Sequence, residues 1–263
     1  MNIHVLMENT SARAEMQAEH GLSLLIESAG RRILFDAGAS PAFAENASRM
    51  GLNLAAVDLA VLSHGHYDHG GGLPTFLQLN RHAPVWVAPH AFDPHFNANG
   101  KNIGLPPALA ASARICSAKA PVHALAPGVI LHRAADMPCP HAAEGQGMSA
   151  VIVGRHMPDD FRHEQYLLIE EAGKRILFSG CSHRGILNIA AYFRPHVLIG
   201  GFHYMKCTPE HDTARLQAAA VRLLQLPTLY YTGHCTGATA TAILSAHMGE
   251  RLRTFSAGDS FSL

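Results

Sequence analysis

Residues 24–38 read LLIESAGRRILFDAG, and residues 167–181 read LLIEEAGKRILFSGC. Ten of the fifteen aligned positions are identical, at an offset of 143. Each copy is two short apolar runs joined by Ala-Gly and a basic pair, which is the pattern of a β-hairpin. The echo continues outward. Ala60-Val61-Leu62 leading to His66-Tyr67 has a counterpart in Val197-Leu198-Ile199 leading to His203-Tyr204, at offset 137. Pro84 to His90 parallels Thr228 to His234, at offset 144. Chance likeness between apolar strands accounts for the weaker pairs but sits badly with ten identities in fifteen. Two halves with one strand–helix plan are expected.

Between the strand-like runs, helices are expected at about 41–50, 72–81, 185–193, 209–225 and 238–248. The fourth opens on Thr208-Pro209 and has Glu210 and Asp212 in its first turn. It places Leu216, Ala219, Ala220, Leu223 and Leu224 at helical spacing. Alternating strands and helices imply a layered α/β architecture. The repeat then favours a four-layer αββα sandwich, two mixed sheets face to face with helices outside. We expect one domain over 1–263, with a first half at about 1–133 and a second at about 150–263. Residues 93–120 break the rhythm with Asn97, Asn99, Gly100, Asn102, Gly104 and Pro106-Pro107, and read as a long excursion or lid over the site. Residues 134–149 read as the join between halves.

The chemistry concentrates in Ser63-His64-Gly65-His66-Tyr67-Asp68-His69, between the apolar run Leu59-Ala60-Val61-Leu62 and the turn Gly70-Gly71-Gly72. Three imidazoles and a carboxylate packed this closely need a cation between them, and these are the ligands that zinc and its first-row neighbours take. In an extended segment His64 and His66 point to one side, so one metal can take both. Once the chain turns, Asp68 and His69 face a second point nearby. With 19 histidines in 263 residues, chance pairs are expected, but four ligands on this pattern are not.

Composition excludes several classes. At 48% hydrophobic residues the chain can bury a full core. Twenty basic and twenty acidic residues give zero formal charge, which argues against nucleic-acid and membrane-surface partners. Met1-Asn2-Ile3-His4-Val5 does not open a secretory signal, and no apolar run approaches membrane-spanning length. Five irregularly spaced cysteines fit reduced thiols rather than a disulfide framework. A cytoplasmic protein acting on a small molecule is expected.

His-x-His-x-Asp-His after a hydrophobic strand is similar to the signature of the metallo-β-lactamase superfamily. Phe35-Asp36-Ala37-Gly38 resembles that superfamily's early Asp-x-Gly. Ser179-Gly180-Cys181-Ser182-His183, Gly200-Gly201-Phe202-His203, Gly233-His234-Cys235-Thr236-Gly237 and Glu19-His20-Gly21 narrow the likeness to the dihydropterin–ribofuranosylaminobenzene phosphate synthase-like group. The resemblance covers nearly the whole chain and implies the αββα sandwich, with the site at one edge where strand ends converge. It implies Asp36 as support for a ligand histidine and His234 as the late ligand of a second metal. Cys181 falls where the superfamily usually places a bridging aspartate. Either its thiolate ligates, or His183, two residues on, supplies the contact. His203 reads as a ligand or a substrate contact, and we assign it to substrate. His163 stands where many members carry a third ligand to the first metal, but reads as readily as a surface residue in the polar run Asp159–Gln165, and it is assigned to substrate. His20 is expected at the site rim.

The expected cofactor is one or two divalent metal ions, zinc first, with manganese or iron accepted by most of the same ligands. The first functional expectation is a metal-dependent hydrolase of a small ester, phosphoester or lactone, with Asp68 as ligand and catalytic residue that orients the attacking water. The second, implied by the group's name, is a transferase joining a dihydropterin diphosphate to ribofuranosylaminobenzene 5′-phosphate with release of pyrophosphate. The third is a non-catalytic metallated scaffold sensing redox state through Cys181.

Overall fold

The computed structural model describes residues 1–263. The chain begins with β1 (Asn2–Met7), β2 (Ser23–Ser28), β3 (Arg31–Phe35), α1 (Ala42–Arg49), β4 (Leu59–Val61), α2 (Tyr67–Gly70), α3 (Leu73–Leu79) and β5 (Val85–Val87). It continues through β6 (His95–Phe96), β7 (Ile115–Ser117), β8 (Val122–Ala126), β9 (Val129–Arg133), β10 (Ser149–Ile152) and β11 (Arg155–Pro158). The last part holds β12 (Gln165–Glu171), β13 (Lys174–Ser179), α4 (Ile186–Phe193), β14 (Val197–Gly200) and α5 (Pro209–Leu224). It closes with β15 (Leu229–Thr232), α6 (Ala238–Met248), β16 (Leu252–Thr254) and β17 (Ser260–Ser262).

The repeated sequence becomes a repeated structure. Ala29 and Gly30 both take positive φ, 50° and 74°, and so do Ala172 and Gly173, at 51° and 75°. Two such residues make the tight turn whose twist matches the flanking strands, so both copies close as hairpins. Glu171 at the second tip accepts from Ser28 Oγ and the Ala29 N–H, which ties the two tips together.

Two seven-stranded sheets result, in the orders β17-β1-β2-β3-β4-β5-β7 and β8-β9-β12-β13-β14-β15-β16. In both, three antiparallel pairings are followed by three parallel ones. The layers follow from alternation along the strands. Leu24 and Ile26 of β2, with Leu167 and Ile169 of β12, enter the core between the sheets, where Phe35 and Phe178 meet at 5.8 Å. Leu25, Leu34 and Ala60 face the other way, onto Phe43 of α1 and Phe76 of α3. Leu168, Leu177 and Leu198 pack against Ile189, Leu216 and Leu244 of α4, α5 and α6. Each such side chain contributes roughly 1.5–3 kcal/mol by leaving water. The four-layer αββα sandwich is therefore the fold.

Three expectations need correction. The half boundaries move, because β8 and β9 pair into the second sheet through β12, while β17 at the C-terminus completes the first sheet beside β1. The excursion at 93–120 is part of the fold for much of its length. His95–Phe96 joins a small sheet, β11-β10-β6, and Ile115–Ser117 is the last strand of the first sheet. Only residues 97–103 lie over the cleft. The helix expected at 72–81 stops at Leu79, because Asn80 turns its amide group to the Leu54 and Val57 carbonyls and accepts from the His82 and Ala83 N–H groups. No helix is long and apolar enough to cross a membrane.

Candidate metal centre

The ends of β3, β4, β13, β14 and β15 meet at one edge of the sandwich. At four of these exits a non-glycine residue sits in left-handed backbone: Asp36 (φ 60°), Ser182 (56°), His203 (56°) and His234 (50°). This conformation is costly for L-residues, and its concentration at one edge marks a place where side-chain direction outweighs backbone comfort. Gly180 admits the neighbouring chain, since a Cβ there would lie 2.1 Å from Ser63 Oγ.

Two clusters form. His64, His66 and His183 place ligand-competent atoms within 4.8 Å of one another, and all three are buried. Asp68, His69, Cys181 and His234 do the same beside them, and Cys181 also lies within that reach of His183 and His203. The seven residues expected to hold metal are thus brought together. The sequence offers Cys181 and His183 as alternatives, and the fold brings both of them to the clusters. All five cysteines are free thiols.

The hydrogen-bond network orients the rings. His69 Nδ1 lies 2.6 Å from Asp36 Oδ2, so it carries a hydrogen, and Nε2 presents a lone pair once the ring is neutral. His234 Nδ1 lies 2.8 Å from Asn9 Oδ1, which also accepts from the Gly21 N–H, so here too Nε2 presents the lone pair. Those two Nε2 atoms face each other at 3.1 Å, with Cys181 Sγ 3.2 Å from His69 Nε2. Ser63 Oγ donates to Asp36 Oδ2 and accepts from His64 Nδ1, which turns the His64 Nε2 lone pair toward His183 Nε2 at 3.3 Å. His66 Nε2 and His183 Nδ1 are buried without any partner. Lone pairs aimed at one another in a buried site repel unless a cation lies among them.

Charge shifts divide the two clusters. Burial, reinforced by the surrounding rings, pushes His64, His66 and His183 well below the usual imidazole range. Burial also opposes ionisation of Asp68, but His69, His20 and His234 overcome it and hold the carboxylate well below its ordinary range. His69 moves the other way: burial opposes its charge, yet Asp36 and Asp68 raise it to about 9. Burial raises the Cys181 thiol well above its usual value. A bound dication would displace the protons from both groups.

Asp36 takes the expected supporting position, holding His69 and accepting from the Ser63 N–H at 2.7 Å. His20 lies at the rim, 3.3 Å from Asp68 Oδ2 and part-exposed. A cleft of about 200 Å³ opens over the clusters, lined by His20, His203, Lys206, Asn97, Asn99 and Met148 among others. His203 lines it with neither ring nitrogen partnered. His163 does not reach the cleft. It is fully buried, accepting from the Gly65 N–H at Nδ1 and facing Asp159 at Nε2, which corrects the expected substrate contact.

Sequence reasoning missed several supports. Glu8 Oε1 accepts from the His234 N–H and Asn9 orients the same ring, both from the end of β1. Glu164 accepts from the His183 and Arg184 N–H groups. Cys235 donates to the Cys181 carbonyl at 3.6 Å. The only signal for Glu8-Asn9 is that two polar residues follow an apolar strand.

The sequence profile of the metallo-beta-lactamase superfamily matches residues 17–148. A 7,8-dihydropterin-6-methyl-4-(beta-D-ribofuranosyl)-aminobenzene-5'-phosphate synthase of Methanocaldococcus jannaschii is 28% identical, over 98% of this chain and 95% of that protein. Among solved structures, Tm1679, described as a metal-dependent hydrolase of the beta-lactamase superfamily, is 26% identical with a TM-score of 0.83, covering 100% of this chain and 99% of that one. Zn²⁺-bound PqqB from Methylobacterium extorquens shares the fold at 12% identity and a TM-score of 0.59, over 100% of both chains. With the lone-pair clusters at the sandwich edge and the profile spanning the His-x-His-x-Asp-His loop, the chain belongs to the metallo-beta-lactamase superfamily.

Proposed function

We propose that this chain is a dinuclear metal-dependent hydrolase acting on a small ester, phosphoester or lactone. The observation that carries it is the pair of buried imidazole nitrogens, His69 Nε2 and His234 Nε2, facing each other at 3.1 Å with their other nitrogens tied down. His64, His66 and His183 would hold one ion, and Asp68, His69, Cys181 and His234 the other, zinc suiting this nitrogen–oxygen–sulfur set. Such ions supply acidity to water and neutralise charge on a carbonyl or phosphoryl oxygen.

The chain's own groups do the rest. Asp68, kept ionised by His69, His20 and His234, accepts a hydrogen bond from the attacking water and fixes its direction. His20, whose hydrogen bond to Asp68 outweighs burial and raises its proton affinity, donates a proton at the rim through Nε2. His203 and Lys206 contact the substrate from the cleft wall. Met148 and Ile103 narrow the entrance and limit bulk water.

The identity to the M. jannaschii synthase over 98% of this chain favours a second reading, transfer of a dihydropterin diphosphate onto ribofuranosylaminobenzene 5′-phosphate with release of pyrophosphate. The same residues would then bind the leaving diphosphate. Elemental analysis beside a panel of phosphodiesters, phosphomonoesters, lactones and thioesters tests the first reading. Hydrolysis with bound metal supports it, and a metal-bearing protein that turns over none of the panel rejects it. Product analysis with the pterin and its acceptor decides the second, since a coupled product requires transfer.

A further inference from the structure

Three polar side chains outside the two metal clusters share one carboxylate oxygen in the interior. Asp159 Oδ2 lies 3.2 Å from His163 Nε2 and 3.1 Å from His95 Nδ1. The side chains of all three are 2% exposed or less. His66 is close enough for the group to resemble a further cation site. The hydrogen bonds argue otherwise. His163 Nδ1 accepts from the Gly65 N–H at 3.0 Å, so its lone pair is used and its hydrogen, on Nε2, points at Asp159. His95 faces an acceptor at each ring nitrogen, Asp159 Oδ2 at Nδ1 and the His90 carbonyl at Nε2, each at 3.1 Å, so both nitrogens carry a hydrogen and donate. A cation there would break bonds already made.

We propose that His163, Asp159 and His95 form a brace that fixes the backbone of the metal loop at Gly65 and thereby sets the separation of His64 and His66. Gly65 is the residue between those two ligands, and its N–H is held by His163 from one side. From the other side Ala91 presses against it: a Cβ at Gly65 would lie 2.2 Å from the Ala91 carbonyl oxygen, so only glycine permits the approach. Ala91 belongs to the 90–95 turn, whose His90 carbonyl is bound by His95. One carboxylate therefore fixes both jaws that hold Gly65. The grip extends to the cleft wall. Tyr67 N–H donates to the Ile103 carbonyl and Ile103 N–H to the His95 carbonyl, each at 2.8 Å, so the segment carrying Asn97 and Asn99 is anchored to the same loop. Partners that orient ligands without touching the metal typically change its affinity 10–100-fold.

The inference rests on the metal reading above, and the test separates the two. Amide hydrogen exchange at Gly65 is measured in the metal-free chain, and Co²⁺ is titrated into the chain and into His163→Leu, His163→Gln and His183→Ala. With the brace, Gly65 exchanges slowly in the parent chain and faster in His163→Leu. That variant binds Co²⁺ roughly 10–100-fold more weakly, with the same number of ions and the same visible absorption. His163→Gln recovers both, because its amide oxygen can accept from Gly65 while its NH₂ reaches Asp159. If Gly65 exchanges equally fast in both, the brace is overturned. If His163→Leu loses an ion as His183→Ala does, His163 is a ligand and the brace is again overturned. A parent chain that binds no Co²⁺ overturns the metal reading, while the Gly65 contrast still judges the brace. Should His163→Leu not fold, Asp159→Asn replaces it, with faster Gly65 exchange expected and unchanged exchange against the proposal.

Discussion

β4 and β14 hold the same place in their sheets, each parallel to a neighbour on both sides, yet they end in different ways. β4 empties into four metal-competent side chains within six residues, His64 to His69, whereas β14 ends on Gly200 and leads through Gly201 and Phe202 to His203, which faces the cleft. The second half spreads its contribution over three exits: Cys181 and His183 after β13, His203 after β14 and His234 after β15. One fold plan thus carries two ways of building a site. In the first half the local chain sets ligand spacing, and in the second the sheet sets it by bringing distant strand ends side by side. The supports differ in the same way. Asp36, at the end of β3, orients His69, while the matching exit of β13 places Cys181 in a candidate cluster itself.

The contrast breaks most visibly if a ligand from the contiguous loop is removed. His66→Ala should lower turnover on a responsive substrate about a thousandfold or more, since several kcal/mol of charge stabilisation depend on the cluster. Its circular dichroism should stay near that of the parent. Activity within tenfold of the parent would show that the loop is not the centre. Asp36→Asn keeps the shape but weakens the bond that orients His69, and should cost about 10–100-fold in metal affinity, read by chelator competition. His203→Ala, the equivalent exit in the second half, should leave metal affinity almost unchanged and raise KM. A loss of metal there would make the two exits alike.

A smaller effect comes from pH. His69 is raised to about 9 and must give up its proton to bind metal, so affinity should weaken by about tenfold for each unit below pH 9. The Cys181 thiol, raised by burial, steepens the dependence. The sign for the metal-free fold follows from the same shift. A histidine raised above its ordinary value adds stability that is full below about pH 6.5 and fades as pH rises through about 9. Zinc affinity measured at pH 6, 7 and 8 should show the slope, and a flat profile would contradict the assignment. The smallest effect is in the core where the halves meet. Phe35→Leu and Phe178→Leu should each cost about 1 kcal/mol in denaturant unfolding and leave metal stoichiometry untouched.

Much of this was readable from residues in order along the chain. The hairpins, α4, α5 and α6 lie within one or two residues of their expected bounds, because apolar spacing and the Ala-Gly turns act locally. The His-x-His-x-Asp-His loop is legible for the same reason. Other features had no local signal. The role of His163 depends on Gly65, 98 residues away, and Asn9 reaches His234 across 225 residues. β9 reads as the end of the first half, but its pairing partner is β12.

Sequence by itself determined that two similar halves would form layered sheets and that metal-competent side chains would crowd the β4 loop. These follow from periodicity and spacing over a few residues, where the chain's own geometry leaves little choice. Tertiary structure decided that Cys181 and His183 both reach the centre and that His163 turns away from it. It also decided that Glu8, Asn9, His95 and Asp159 hold the ligands from behind. Those outcomes depend on which strand ends lie side by side and which polar groups find partners once water is gone, and only the packed sheets decide that.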